Sequence, residues 1–547
     1  MTISTKLKWK EHVANALRKI ELLEAEYEAI TVGQLVSMRA RTHSSVTAID
    51  VFDRSERVTY AEMDRLSNKY AHALRAFGIH KHDRIGVMLP NRIEFPALWF
   101  AIAKLGAVMV PINIRYTPRE IGYVLSDTQA GFAVVDTAAW SVFSAMEPWP
   151  QELHKERVIL VGQPSHGTTI ALDKLVKGAN DSLVEEDIRP DDLLNLQYTS
   201  GSTGFPKGCM LTHDYWGVSS YQAVCWDRHS YQRYLSAQPF FYGDPQGHLL
   251  RSYRQGGTLY LAPQPSSRRF FGWVKQHRIE WCQVPELIGR QTGPDDQAEA
   301  TCLKQTLNWG WSPDTLRQFR KRFPVRTQDA YGMTEIAFGT LMPSDLDELA
   351  ESGSVGIRAP FRTLRLMNEN GRATPIGEVG ELWVSGRGIL KGYWNKPDEN
   401  AASFEGEWFK TGDLLRSDEL GFYWLVGRKK EMIRRSGENI AAREVEAVIR
   451  EIPEIADLAA VPVRDVKRGE EVKIYVELRE GVTPDDQAVR RILEHARAHL
   501  AAFKVPRYIA FISALPRTTS SNKVLKRELM VSDPLAGAYD AEAKRWG

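Results

Sequence analysis

Between about residue 50 and residue 290, apolar runs of strand length alternate with longer helical patterns, and this alternation restricts the chain more than any other feature. Arg84 to Leu89, Val108 to Ile112, Gly131 to Val135 and Val158 to Val161 read as strands, with a helix over Pro96 to Leu105. The pattern returns as a strand at Thr258 to Ala262, a helix over Phe270 to Gln276 and a strand at Trp281 to Val284. Strands that alternate with helices are predicted to pair in parallel, because a parallel partner is reached only through a crossover. Ligands of such sheets sit at the carboxyl ends of strands. One segment there carries distinctive chemistry.

That segment is Tyr198 to Gly208, Tyr-Thr-Ser-Gly-Ser-Thr-Gly-Phe-Pro-Lys-Gly, directly after the apolar Leu193, Leu194 and Leu196. Glycines at 201, 204 and 208 permit turns closed to other residues, so that successive N–H groups can point inward as an anion cradle. Thr199, Ser200, Ser202 and Thr203 add hydroxyl donors, and Lys207 adds a positive charge. Polyphosphate is the expected guest. A P-loop of the form G-x-x-x-x-G-K-[ST] starting at Gly201 is excluded by Pro206, which stands where glycine is required. Composition alone would also permit a flexible surface loop, but a lysine and a proline inside so short a run are unusual for a linker.

A chain of 547 residues is long enough for two or more domains. A net charge of +2 gives no support for nucleic acid or an anionic membrane as the main partner. The four cysteines, Cys209, Cys225, Cys282 and Cys302, form no C-x-x-C pair, so neither a zinc site nor a disulfide framework is indicated, and reduced thiols in a cytoplasmic protein fit. No apolar stretch is long enough to span a bilayer. The first residues, mixing Lys8, Lys10 and Arg18 with Glu11, Glu21 and Glu24, read as an amphipathic helix rather than a signal peptide.

From about residue 352 the texture changes to short glycine-punctuated β segments, including Gly380 to Val384 and Phe422 to Val426. After Gly427 a smaller α+β pattern follows: helices over Glu444 to Glu451 and Gln487 to Leu500, and strands at Leu458 to Val463, Val472 to Leu478 and Tyr508 to Ile512. The domain boundary is expected near Arg428 to Glu431.

Four further motifs follow in order. Tyr331-Gly332-Met333-Thr334-Glu335, Trp408-Phe409-Lys410-Thr411-Gly412-Asp413, Gly427-Arg428-Lys429-Lys430 with Ser436-Gly437-Glu438-Asn439, and Lys523 after Pro516-Arg517-Thr518 resemble the ordered motif set of adenylate-forming (AMP-binding) enzymes, in the acyl-CoA synthetase branch. The resemblance covers nearly the whole chain. It implies an α/β fold: a large N-terminal domain, residues 1–427, of two βαβ-layered subdomains and a small β-barrel subdomain. A hinge at 428–431 and a smaller, mobile α+β domain at 432–547 complete the expected organisation.

The resemblance also implies roles. Thr199, Ser200, Gly201, Ser202, Thr203, Gly204 and Lys207 would hold the phosphates of ATP. Gly310, Trp311, Asp329, Ala330, Tyr331, Gly332 and Thr334 would surround the nucleotide, with Tyr331 stacked on adenine. Glu335 would carry Mg2+, which suits a hard carboxylate oxygen. Asp413 would accept from the ribose hydroxyls, and Arg428 would add a second contact. Out of context each of these is an ordinary surface charge, turn residue or packed ring. Lys523 would bridge the substrate carboxylate and the α-phosphate, relieving repulsion between two anions, although Ser521-Asn522 replaces the usual Thr-Gly before it. Lys430 occupies the hinge position, and Gly437 would line the path of the coenzyme A thiol. Acetylation of Lys523 would remove its charge.

The acid-binding segments depart from the common pattern. Phe241 and Tyr242 stand where an aromatic-His pair is usual, and Asn308-Trp309-Gly310-Trp311-Ser312 replaces a small-residue run. Trp309 and Trp311 would shorten the pocket, which points away from long fatty chains. The Asp244-x-Gln246 pattern is most similar to crotonobetaine/carnitine-CoA ligases. Aromatic faces with Asp244 would suit a short acid whose far end is cationic or polar, whereas Arg251 or Arg254 would suit a second carboxylate. Ordinary core packing of these aromatics and a turn-capping Asp244 is the alternative. The expected function is an AMP-forming acid–CoA ligase, possible as a homodimer. A stand-alone enzyme loading a discrete carrier protein, a luciferase-like oxygenase and a nucleotide-binding regulator are the competing readings.

Overall fold

The computed structural model describes residues 3–162, 169–199, 206–290, 301–435, 438–465, 467–500, 502–517, 523–530, 533 and 535–547. The chain packs as two compact units: Met1–Leu364 with Val384–Phe409 and Leu420–Tyr423, and Arg365–Trp383 with Lys410–Glu419 and Trp424–Gly547.

Two large sheets build the first unit. In one, Arg84–Met88 lies at the centre with parallel neighbours Val108–Pro111 and Phe132–Asp136, and Val158–Val161 extends the parallel run. The strand Leu193–Thr199 joins beside Val108–Pro111, and Lys207–Thr212 turns back antiparallel to it as the sheet edge. In the other, Thr47–Val51, Thr258–Leu261, Arg233–Ser236, Trp281–Gln283, Gln305–Trp309 and Arg326–Met333 run parallel, and Ala337–Leu341 reverses at the end. The expected runs at 84–89, 108–112, 131–135, 158–161, 258–262 and 281–284 are among them, displaced at their ends by a residue or two, whereas Thr47–Val51, Arg233–Ser236, Gln305–Trp309, Arg326–Met333 and Ala337–Leu341 were not expected. The helix Phe270–Gln276 falls where its periodicity places it. Helices begin where a side chain can take up the unpaired N–H groups of the first turn. Thr31, Thr59 and Thr117 each form a reciprocal capping box with Gln34, Glu62 and Glu120.

The helix Glu94–Leu105 has nearly every residue buried, consistent with its unbroken apolar sequence. On the first sheet, Val110, Ile112, Ile121, Leu125, Val135 and Leu160 pack in one core. On the second, Phe271, Phe319 and Phe323 stack beneath Trp311.

The β-rich segment expected after residue 352 forms a five-stranded sheet in the order Thr363–Met367, Val379–Ser385, Trp408–Ser417, Phe404–Glu405, with Tyr423–Arg428 also paired to Trp408–Ser417. The C-terminal α+β pattern is a seven-stranded sheet among the described residues. Its long hairpin Ile455–Asp465/Gly469–Leu478 is backed by helices Ala442–Ile449 and Asp486–His499 through Val445, Ile449, Val489 and Ile492.

Candidate active site

The segment expected to hold phosphate is flanked by two antiparallel strands, Leu193–Thr199 and Lys207–Thr212. Thr199 pairs in register with Lys207, and Tyr198 with Gly208, so the chain leaves and re-enters the sheet edge across this loop. Ser200, Gly201, Ser202, Thr203 and Gly204 lie outside the described residues, as does Gly437. The base of the hairpin is fixed by Asp127, which accepts from Tyr198 Oη at 2.6 Å and pairs with Lys396 Nζ at 2.7 Å.

The segment 390–394 runs along the outer side of the hairpin. Met210 N donates to Gly392 O, Lys391 N to Met210 O and Trp394 N to Gly208 O, while Leu390 N donates to Glu335 O at 2.8 Å. This path brings Tyr393 under Lys207, whose ammonium stands 4.7 Å from the ring centroid. Tyr393 Oη donates to Glu335 Oε1 at 2.8 Å, and Lys207 Nζ meets Glu399 Oε2 at 2.5 Å. Burial, followed by the Glu335 carboxylate, raises the Tyr393 pKa, so the phenol stays protonated and keeps its donor role. Burial and Glu335 likewise raise the Cys209 thiol well above its ordinary range.

Glu335 sits in the tight turn between Arg326–Met333 and Ala337–Leu341. Ala337 takes a left-handed φ of 53°, and Ile336 N closes the turn on Met333 O. Glu335 is nevertheless only 6% exposed. Arg362, fully enclosed, donates to the carbonyls of Ile336, Phe338, Arg387 and Gly388, tying the Glu335 turn to the 387–388 bend. At the strand ends, Asp329 Oδ1 accepts from Gly310 N at 2.6 Å and Ala330 N at 2.8 Å. Tyr331 is buried beside Gly339. Gly332 has no room for a side chain, since a Cβ there would lie 2.1 Å from Ala337 O and 3.1 Å from the Trp309 ring. Thr334 is half-buried in the Glu335 turn.

The acid-binding candidates divide. Phe241 and Tyr242 pack edge to face, the Phe241 carbonyl accepts from Gln197 Nε2, and Tyr242 Oη accepts from Asn113 Nδ2. Asp244 lies half-buried in the first turn of the helix Gly243–Gln255, where the dipole favours a carboxylate. Gln246 is fully buried and laces Asn195 to the Phe240 carbonyl. Trp309 is half-buried and stacks on Phe338 at 5.3 Å. Trp311 is in the core, edge-on to Phe319, with Gly289 leaving room for its ring. Arg251 Nη2 donates to both carboxylate oxygens of Asp227 at 2.6 Å, and Arg254 donates to Ser220 Oγ and Gly217 O.

In the second unit, Asp413 follows Gly412, which has a φ of 71°. Arg428 Nε donates to Asp413 Oδ1 at 3.0 Å, and Lys429 Nζ pairs with Glu381 at 2.9 Å. Lys430 lies in a short 3-10 turn, Lys429–Glu431. Lys526 is clasped by Glu431 at 3.2 Å and Glu446 at 2.8 Å. Burial opposes its charge, yet these two carboxylates hold its pKa above the ordinary value. Lys523 is exposed at its surface. Surrounding protein that displaces water, and then Arg428, lower its pKa, against the attraction of Glu431 and Asp413. Asp413, Arg428 and Lys523 thus share one electrostatic neighbourhood.

Asp127, Tyr393 and Glu399 were not among the expected site residues. Only the Gly392-Tyr393-Trp394 run, a glycine between bulky neighbours, marks that stretch in the sequence. Among the described residues no cluster of three metal-ligating side chains exists, and no helix is long and apolar enough to cross a membrane. A magnesium ion fits Glu335 all the same, because this ion binds through one or two carboxylates together with substrate phosphates rather than in an all-protein cage.

Known proteins of the same construction are numerous. The chain is 29% identical to the long-chain-fatty-acid–CoA ligase FadD13 of Mycobacterium tuberculosis, over 91% of this chain and 97% of that protein. It is 30% identical to a crotonobetaine/carnitine–CoA ligase of Escherichia coli, over 86% and 93%. The crystal structure of ATP-bound MatB from Rhodopseudomonas palustris superposes with a TM-score of 0.82 at 25% identity, covering 91% of this chain and 98% of that one. Residues 36–394 match the family described as AMP-binding enzyme, and residues 444–522 match the AMP-binding enzyme C-terminal domain. The chain belongs to the AMP-binding enzyme family.

Proposed function

We propose that the protein is an AMP-forming carboxylic acid–CoA ligase. A carboxylate oxygen attacks the α-phosphorus of ATP, the bond to the bridging oxygen breaks, and pyrophosphate leaves. The coenzyme A thiol then attacks the acyl carbon, AMP departs with the carboxylate oxygen, and the thiol proton passes to solvent. The observation that supports this reading is Tyr393, whose ring lies 4.7 Å from the Lys207 ammonium and whose hydroxyl donates to Glu335, linking a cation and a carboxylate that would serve polyphosphate and its metal. Thr199 and Lys207 would hold phosphates, and Tyr331 with Gly310, Asp329 and Ala330 would frame the base. Asp413 and Arg428 would take the ribose, and Lys523 would neutralise the reacting carboxylate and α-phosphate. Lys430 would serve as the hinge between the half-reactions. Magnesium on Glu335 would neutralise phosphate charge.

For the acid, the preferred class is a short carboxylate with a cationic far end. Support comes from the half-buried Asp244, from Arg251 and Arg254 being engaged elsewhere, and from a relative named for crotonobetaine and carnitine. A panel of short acids, including trimethylammonium and sulfonium acids, scored by pyrophosphate release with and without coenzyme A, tests both parts. Release that depends on the acid, followed by AMP release that depends on coenzyme A, is expected; AMP release only with a carrier protein would overturn the ligase reading. Asp244→Asn should lower kcat/KM for a trimethylammonium acid about tenfold more than for a neutral acid of equal size. Equal losses would rule out the cation assignment.

A further inference from the structure

Behind Asp244 lies a chain of buried polar side chains that the reaction does not use. Gln283 Nε2 donates to Asp244 Oδ2 at 3.0 Å, Gln283 Oε1 lies 2.9 Å from His248 Nε2, and His248 Nδ1 lies 3.1 Å from Ser236 Oγ. Ser236 and His248 are buried, and Gln283 is 9% exposed. Ser236 ends its strand, Gln283 ends the adjacent strand, and His248 lies one helical turn beyond Asp244 on the same helix. Gln283 pairs in register with Leu307, and period-two alternation puts Gln283, Leu307 and Trp309 on one sheet face.

The directions of these bonds follow from the last acceptor. An ionised carboxylate only accepts, so the Gln283 amide must turn its NH2 toward Asp244 and its oxygen toward His248. That oxygen requires the proton on His248 Nε2, which leaves Nδ1 bare to accept from the Ser236 hydroxyl. Burial, despite the opposing pull of Asp244 and Gln283, depresses His248 to about 4, so the ring is neutral at physiological pH. The relay therefore carries no positive charge to cancel that of Asp244. It engages one carboxylate oxygen with a neutral donor.

We infer that Gln283, His248 and Ser236 are positioning residues that fix Asp244 in one orientation as an anionic acceptor, and that this relay sets the preference of the acid pocket for a cationic group over a neutral or carboxylate group of equal size. The inference rests on Asp244 facing the acid. A loose aspartate could rotate to a water or be replaced in function by any nearby polar group, whereas one braced by a three-membered relay presents its free oxygen in a single direction, where a trimethylammonium group gains and a second carboxylate is repelled.

The test is the ratio of kcat/KM for a trimethylammonium acid to that for its carbon isostere bearing a tert-butyl group, measured by pyrophosphate release. Gln283→Met, close in shape and unable to donate, should lower this ratio about threefold to tenfold, mainly through KM of the cationic acid. A purely structural role would lower both substrates alike and leave the ratio fixed, which would overturn the inference. Asp244→Asn is measured in parallel: if it collapses the ratio while Gln283→Met does not, the relay is refuted and the cation assignment stands. If Asp244→Asn leaves the ratio unchanged, the cation assignment itself fails. Should Gln283→Met lose nucleotide binding through misfolding, Ser236→Ala, which removes only the terminal hydroxyl, is expected to shift the ratio in the same direction by about twofold; no shift there refutes the relay.

Discussion

The Lys207 ammonium is shared between a ring face and a carboxylate. Tyr393 lies below it, and Glu399, with its side chain 43% exposed, holds it at 2.5 Å. On the proposed reading, incoming phosphate would displace Glu399. Half-exposed ion pairs contribute only about 0.2–1 kcal/mol, so the exchange costs little, and Glu399→Gln is expected to lower KM for ATP by no more than about fivefold while leaving KM for the acid near its original value. A rise in KM for ATP would show that Glu399 supports the phosphate site instead. Lys207, Glu335, Asp413 and Lys523 were proposed from ordered motifs because each belongs to a short local run. Glu399 was not, because its partner lies 192 residues away and nothing local distinguishes it from a surface charge.

At the scale of elements, the longer buried strands that were legible owe it to burial on both faces, which demands continuous apolar residues, a local signal. The capping boxes at Thr31, Thr59 and Thr117 were not read from the sequence, although each is a local Thr-x-x-Gln/Glu pattern. Less legible were the joins. Gly356 precedes the strand Ile357–Arg358 with a φ of 94°, and a Cβ there would fall 2.1 Å from the Leu341 carbonyl carbon. Both the dihedral and the crowding exclude a side chain, so Gly356→Ala should destabilise the first unit by more than about 2 kcal/mol in chemical denaturation. A change below half of that would mean the strand end relaxes freely. No period in the sequence foretells such a position, since the crowding atom comes from another strand.

Across the whole molecule, two buried imidazoles set an acid limit. Burial lowers both His213 and His248 from 6.5 to about 4. His213 Nδ1 accepts from Val32 N, which further requires a bare ring nitrogen. The unfolded chain takes up protons near pH 6.5 while the folded chain does not until about pH 4. Stability is therefore full above pH 6.5 and falls as pH drops toward 4, by an amount of the order of 3 kcal/mol per ring at the limit. The denaturation midpoint measured at pH 7, 6, 5 and 4 should decline through this window; a flat profile would mean that the rings protonate without opening the fold.

The sequence by itself determined the alternation of strands and helices, the glycine and hydroxyl content of the Tyr198 to Gly208 segment, and the ordered motifs that carry Lys207, Glu335, Asp413 and Lys523. All of these are encoded within a few neighbouring residues. Tertiary structure alone decided that Tyr393 bridges Lys207 to Glu335, that Trp311 belongs to the core while Trp309 stays half-buried, and that Asp244 is braced by Gln283 from a strand 39 residues away. The reason is physical: parallel pairing brings together strand ends that are distant in the chain, and the charge and hydrogen bonding of a side chain depend on what arrives beside it.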